Sequence, residues 1–513
     1  MNLPADLIIH SANVITMDPS RPAAEAVAVR GRRIAAVGSD GDVRPCRGPG
    51  TEVIDGRGQT VVPGFHDAHC HPIALAAGYL AVDCGPASVR SIAGIREAIR
   101  RRASQTPDGR WIRASGYNEF YLEEKRHPNR RDLDAAAPLH PVKLVHRSGH
   151  ACVLNTRAME LLGISVHTEE PEGGMMERDL DTGEPNGLLF EMNTFVDRAV
   201  PPLSDDELEA GASLASQDLL AAGVTSIQDA SWNNSAGRWR VLRRLKDLGK
   251  LRPRVCMMTG TDALDERGAF VRESLPGRLR PGPVKIVIQA ATGSLSPPQE
   301  ELDRLVAEVH GSGLQLAFHA DEAVTLEAAL TALEKGLSRA PRPDHRHRME
   351  HCSVCPPGLM ERLKRTGAMV VTQPTFIHYS GERYLATVPP ADLPWLYAMG
   401  SLRASGIRVA ASSDAPVVPF PPLVGIGAAV TRKAASGQDL LPHESLTPLQ
   451  ALEAYTIDAA YASFEEGDKG SISPGKLADL VILGDDPLTV PPGQIKDIQL
   501  MATILDGEVV WRR

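Results

Sequence analysis

The chain has 513 residues, 42% of them hydrophobic and 23% charged, with a formal net charge of −9. That length can bury a large core in a multi-part globular protein. The acidic balance leaves no basic stripe for a phosphate backbone, and no apolar run is long enough to span a membrane, so neither nucleic acid nor a bilayer is an expected partner.

The opening stretch, MNLPADLIIHSANVITMD, lacks the basic and apolar blocks of a signal peptide. Seven cysteines, an odd number scattered through the chain, suit reduced thiols and a cytoplasmic location. Cys352 and Cys355 form a CxxC, but no second pair follows, so a zinc ribbon is not expected.

Residues 5–60 alternate short β-rich runs with turns, at 6–9, 26–30, 34–37 and 52–54, and Gly31 and Gly38 mark hairpins. A strand over 61–66 then leads into VVPGFHDAHCHP, where His69 and His71 are separated by one residue. Positions i and i+2 of a strand share a face, so both imidazoles would enter one space, with Cys70 turned away. Alone, an HxH is a weak signal.

Residues 74–205 form a connection far longer than usual. They contain a strand-like 142–146 and a hairpin-like 174–190 turning at Thr182-Gly183, and read as an inserted subdomain over a barrel mouth. Beyond them, apolar runs at 224–228, 254–258, 284–289, 314–318, 346–349, 369–372 and 407–411 alternate with helix-like segments such as 302–309 and 325–333. With 61–66 these make eight strands of a parallel sheet buried on both faces. The end from Lys469 is strand-rich again, at 480–483, 501–505 and 509–511, with Asp506-Gly507 as a hairpin turn.

The expected fold is therefore α/β: a (β/α)8 TIM barrel, a small composite β-sandwich built from both termini, and an insertion after strand one. The domains read as residues 1–60 and 466–513 for the sandwich and 61–465 for the barrel, interrupted at about 74–205.

The chemistry of such a barrel sits at the carboxyl ends of its strands. There the sequence places His69, His71, His319 (LQLAFHADE), His351 (HRMEHCSV) and Asp414 (VAASSDAPV). A mixed nitrogen and oxygen set with no required thiolate suits zinc, manganese, iron or nickel. Lys285 alternates with Val284 and Ile286 in an apolar strand, where an unpaired ammonium is costly. It would snorkel to a barrel end or pair with an acid.

PGFHDAHCHP, HRMEH and ASSDAPV together resemble the amidohydrolase superfamily, over nearly the whole chain. LNTRAMELLGI, GEPNGLLFE and SPGKLADLVILGDDP with ILDGEVVW resemble its N-substituted-formamide deformylase-like branch, amidohydrolase family 3. That resemblance implies metal ligands at His69, His71, Lys285, His319, His351 and Asp414, with Lys285 carbamylated and bridging two metals. It implies a divalent metal, zinc first, at one or two ions per subunit. It also implies hydrolysis of a non-peptide carbon–nitrogen bond, an amide such as N-formyl or N-acyl. Metal-activated water is then the nucleophile and Asp414 the general base. Two departures stand out: many relatives have an aspartate-glycine pair where this chain has Gln289-Ala290, and the branch has an aspartate where this chain has Ser148.

His150, Tyr379 and Arg383 are candidate substrate-binding residues, with Tyr384 and Glu191 as weaker ones; Tyr379, Arg383 and Tyr384 are read as a loop after strand seven. HADE also resembles the strand-five motif of deaminases, in which Glu322 would shuttle a proton at a single metal. The competing role for Glu322 is to start the next helix. A third option is a non-catalytic scaffold, which has no physical need for buried polar groups converging at one point. Two, one or no metal equivalents separate the three. The expected partner is a small-molecule substrate, and the sequence leaves room for a homo-oligomer.

Overall fold

The computed structural model describes residues 4–171, 173–290 and 294–513. These divide into two compact units, residues 1–71 with 216–513, and residues 72–215.

In the first unit two sheets form a sandwich from both ends of the chain. Leu7–His10 pairs with Ala26–Arg30 and Glu52–Asp55, and Arg33–Gly38 completes a four-stranded sheet. The facing sheet has six strands in the order Glu508–Arg512, Leu500–Leu505, Leu480–Leu483, Thr60–Pro63, Asn13–Ile15, Ala23–Ala24. Ile9, Val27 and Val29 of one sheet share a core with Val61, Leu480, Ile482 and Ile504 of the other, the alternating inward faces of a sandwich. Asp506 (φ 54°) and Gly507 (φ 80°) make the tight turn of the last hairpin.

Val61 and Val62 thus belong to the sandwich, correcting the expected first barrel strand at 61–66. The barrel strand begins after the Pro63-Gly64 break, at Phe65–Cys70. Gly64 allows the crossover because a Cβ there would stand 2.2 Å from Thr225 Oγ1, well inside contact distance.

Eight parallel strands follow in consecutive order: Phe65–Cys70, Val224–Asp229, Arg254–Gly260, Leu279–Val287, Leu316–Ala320, Arg348–His351, Met369–Thr372 and Val409–Ala411. The sheet's two ends meet just beyond its edge strands. Asp414 N–H donates to His69 O and His71 N–H to Ala415 O, both at 2.8 Å. Helices Gln299–Gly311 and Ala323–Arg339 cover the outside, burying Leu302, Val306, Leu326, Leu330 and Leu333 against the strands.

After strand seven the chain enters a helix, Pro374–Thr387, rather than the expected loop at Tyr379, Arg383 and Tyr384. Pro374 at the first turn sets the helical φ without forfeiting a hydrogen bond, and burial of Ile377 and Tyr384 outweighs the modest helix propensity of the aromatics.

The second unit carries its own six-stranded sheet, ordered Met175–Arg178, Pro185–Phe190, Ala151–Leu154, Val142–His146, Ile112–Tyr117, Val82–Asp83. Helix Ile92–Ala103 buries Ile92, Ile95 and Ile99, spaced three and four apart, in this unit's core. Among the described residues no helix is long and apolar enough to cross a membrane. All seven cysteines are unpaired and buried.

Candidate metal centre

Barrel register brings the predicted strand ends to one level. Val287 pairs with His319, His319 with Glu350, and Ala320 with His351, while Lys285 lies opposite Gly260. Closure of the barrel brings Asp414 to His69 and His71. Asp414 Oδ1 stands 3.0 Å from His71 Nε2 and 3.5 Å from His69 Nε2, and one ligand atom from each residue falls within 4.8 Å of the others. The His351 ring is 4.8 Å from that of His69, and the half-buried His319 ring 4.4 Å from that of His351, centroid to centroid.

The outer nitrogens of these rings are tied down. His69 Nδ1 is 2.5 Å from Glu350 Oε2, so Nδ1–H donates to the carboxylate and leaves the Nε2 lone pair aimed inward. Arg348, fully buried, holds Glu350 through Nε at 2.6 Å and Nη2 at 3.0 Å, and also donates to Ala68 O and Gln228 Oε1. His351 Nδ1 meets Gln373 Oε1 at 2.9 Å, and the Gln373 amide is anchored on Ser412 Oγ. His71 Nδ1 lies 3.1 Å from Ser231 Oγ, whose own proton goes to Asp229 Oδ1.

This wiring decides what the centre can hold. Ser231 spends its proton on Asp229, so His71 donates from Nδ1, and the neutral ring that a metal requires turns its Nε2 lone pair toward the Asp414 carboxylate. His69 does the same. Lone pairs facing a carboxylate at 3.0–3.5 Å repel unless a cation sits among them. The buried His351 Nε2 and Lys285 Nζ also lack hydrogen-bond partners, an expensive condition for groups of that kind. The donor set therefore fits a divalent cation.

Protonation states agree. Burial, and then the charge of Lys285, holds His69 well below the ordinary histidine pKa. His351 is likewise low, through burial first. Burial would raise Asp414, but the close approach of His71 and the nearby positive charge of His351 and Lys285 outweigh it, and its net pKa is low. Burial brings Lys285 down to about 8, enlarging the fraction of neutral amine, the form that reacts with carbon dioxide.

Two loop conformations assist. Asp414 (φ 62°) and His351 (φ 66°) adopt the left-handed backbone rare outside glycine. At His351 this ends strand alternation, so Glu350 and His351 both serve the centre although they are adjacent in sequence. Asp67 braces the Asp414 loop, accepting from Ser413 N at 3.0 Å and Ser413 Oγ at 2.5 Å. Glu350, Arg348, Ser231 and Asp67 were not singled out by sequence reasoning. Only the charged RME run inside an apolar strand offered a signal.

The remaining candidates make contacts of their own. Glu322 is exposed and is the N-cap of helix Ala323–Arg339, in a reciprocal capping box with Thr325. Tyr379 is half-buried beside His378, and Arg383 stacks on the Tyr384 ring at 4.8 Å. Tyr384 is a packing residue whose hydroxyl is 3.1 Å from that of Tyr397. His150 belongs to the second unit, where its Nδ1 is 2.8 Å from Glu191 Oε1.

A parallel eight-stranded barrel with histidines and an aspartate converging at its carboxyl ends defines a metal-dependent hydrolase. Residues 52–511 match the Amidohydrolase family, and the chain belongs to it. It is an enzyme of the class that acts on carbon–nitrogen bonds other than peptide bonds. The N-substituted formamide deformylase of Arthrobacter pascens is 31% identical over 99% of this chain and 98% of its own length. A putative amidohydrolase of Bacillus subtilis is 28% identical over 99% of both. An uncharacterised metal-dependent hydrolase from Pyrococcus horikoshii shares the fold, with a TM-score of 0.75 at 24% identity, covering 95% of this chain and 99% of that one.

Proposed function

We propose that the protein hydrolyses an N-substituted amide, with N-formyl and small N-acyl amines as the substrate class. The observation that carries this reading is the convergence of lone pairs from His69 and His71 on Asp414, together with the partnerless Nε2 of buried His351 and the partnerless amine of Lys285. Similarity to the formamide deformylase supports the choice of acyl group.

His69, His71, His319, His351 and Asp414, with carbamylated Lys285, would hold one or two divalent ions. Zinc suits this nitrogen and oxygen donor set. When bound, the metal supplies Lewis acidity, polarising the carbonyl and lowering the pKa of water.

Asp414 takes a proton from the attacking water and returns it to the leaving nitrogen. Its low pKa keeps it a carboxylate, ready to accept that proton. Glu350 and Gln373 fix the His69 and His351 rings, so no reorganisation is needed as charge develops. Tyr379 and Arg383 are the proposed substrate contacts of the barrel unit. Seven unpaired, buried thiols support a reducing, cytoplasmic setting.

The test is a panel of N-formyl and N-acetyl amines incubated with metal-analysed protein, following acid and amine release by chromatography. Release should cease on chelation and return with added zinc. Absence of bound metal, or ammonia as the product of an aromatic amine, would overturn the reading.

A further inference from the structure

The end of the barrel opposite the histidines holds a cleft of about 160 Å³. Cys256 and Gly282 on its wall lie in the amino-terminal halves of strands Arg254–Gly260 and Leu279–Val287, and Gln315 directly precedes Leu316–Ala320. Two guanidinium groups, Arg267 and Arg280, line the same space. We propose that this cleft is a binding site for a small anion bearing a phosphate or carboxylate group, held between Arg267 and Arg280.

Arg267 carries charge that no neighbouring carboxylate among the described residues matches. Arg267 donates from Nη1 to Thr259 Oγ1 at 2.7 Å, a neutral acceptor. Among the described residues no carboxylate lies within ion-pair distance of it, and a guanidinium offers five N–H donors in a planar fork. Arg280 donates to Ser463 O at 2.5 Å and stands 3.8 Å from Glu465. That carboxylate is already engaged by Lys469 at 3.1 Å and Ser463 Oγ at 2.8 Å. Burial pushes the Cys256 thiol up, so at neutral pH it is uncharged and balances neither arginine.

The remaining polar group is also spent. Gln315 Nε2 donates to Ala462 O at 3.0 Å and Arg346 O at 2.5 Å. Two cations therefore share a partly desolvated cleft: burial together with Arg280 lowers the Arg267 pKa, whereas Arg280, despite burial, is held up in part by Glu465 and Asp468, so the uncompensated charge is that of Arg267. An anion accepting from both forks relieves that repulsion. The volume is below the several hundred Å³ of pockets for drug-sized ligands, so the occupant is small. Gly282 keeps the wall open, since a Cβ there would stand 2.8 Å from Cys256 Sγ.

The experiment is calorimetric titration of the full-length, metal-loaded protein with inorganic phosphate, and separately with succinate, at fixed ionic strength. We expect saturable binding at one site. Arg267→Met and Arg280→Met should each weaken it roughly tenfold or more, with metal content and turnover unchanged. Tighter phosphate than succinate assigns a phosphate-bearing ligand, and the reverse order a carboxylate. Binding no greater than that of chloride overturns the proposal. So does phosphate that substrate displaces, or that both folded variants bind as well as wild type; if either variant fails to fold, the other decides.

Discussion

Asp414 occupies a costly backbone conformation at φ 62° and faces two imidazole lone pairs, which makes it the most informative side chain to change. Asp414→Asn keeps the shape and removes the proton acceptor. Metal content should hold while the turnover rate falls by about 10²–10⁴-fold; near-normal turnover in the metallated variant would remove Asp414 from proton transfer. Glu350 acts one bond further out, through His69. Glu350→Gln should weaken metal affinity by about 10–100-fold in a chelator competition, and unaltered affinity would reduce Glu350 to a partner of Arg348. Lys285→Ala should cost at least one metal equivalent and nearly all activity, with partial rescue of both by acetate or propionate. Reconstitution of wild-type apoprotein should improve with bicarbonate. A full two-metal complement in folded Lys285→Ala would exclude the bridge.

Helix ends and strand starts elsewhere in the barrel wall depend on three neutral histidines. His347 Nδ1 accepts from Leu316 N–H at 2.9 Å, so its Nε2 proton goes to His310 Nδ1 at 2.8 Å, and His310 Nε2 donates to Ala340 O at 2.7 Å. His345 Nδ1 accepts from His347 N–H and its Nε2 donates to Thr366 O. Every ring nitrogen has an assigned role, so an added proton must break a bond. Burial first, and neighbouring positive charge, hold His345 and His347 below the ordinary value of 6.5. A depressed folded pKa means the stability is fully present above pH 6.5 and is lost as pH falls below it, at up to about 1.4 kcal/mol per pH unit per histidine. Comparing Tm at pH 7.5 and 5.5 should show a smaller acid-induced drop for His347→Phe than for wild type, although the variant starts lower; parallel drops would refute the coupling. Glu322 belongs to the same class of helix-end contact, and Glu322→Gln should leave activity within a few-fold of wild type.

The barrel and the terminal sandwich are joined by a buried ion pair. Arg254 of barrel strand three grips Asp479 through Nε at 2.6 Å and Nη2 at 2.7 Å, with both side chains 4% exposed. Asp479 leads directly into Leu480–Leu483, the strand wedged between Thr60–Pro63 and Leu500–Leu505. Asp479→Ala removes the two-point partner of a buried guanidinium, leaving it only Asp506, and should cost up to about 3–5 kcal/mol in denaturant unfolding, with metal per folded molecule unchanged. A loss under about 1 kcal/mol would show that the pair is not a structural joint.

The sequence alone determined the eight apolar strands, the strand-rich ends and the polar residues at His69, His71, His319, His351 and Asp414, because side-chain periodicity and strand-end position are local properties. It misassigned Val61–Val62 and the segment holding Tyr379 and Arg383, where a single glycine and a proline-started helix redirect the chain. Only the tertiary structure decided that Ser231 spends its proton on Asp229, that Glu350 and Gln373 orient their histidines, and that lone pairs converge on Asp414. Those relations join residues up to 343 positions apart. They arise from barrel closure and from left-handed turns at His351 and Asp414, which no local pattern of residues encodes.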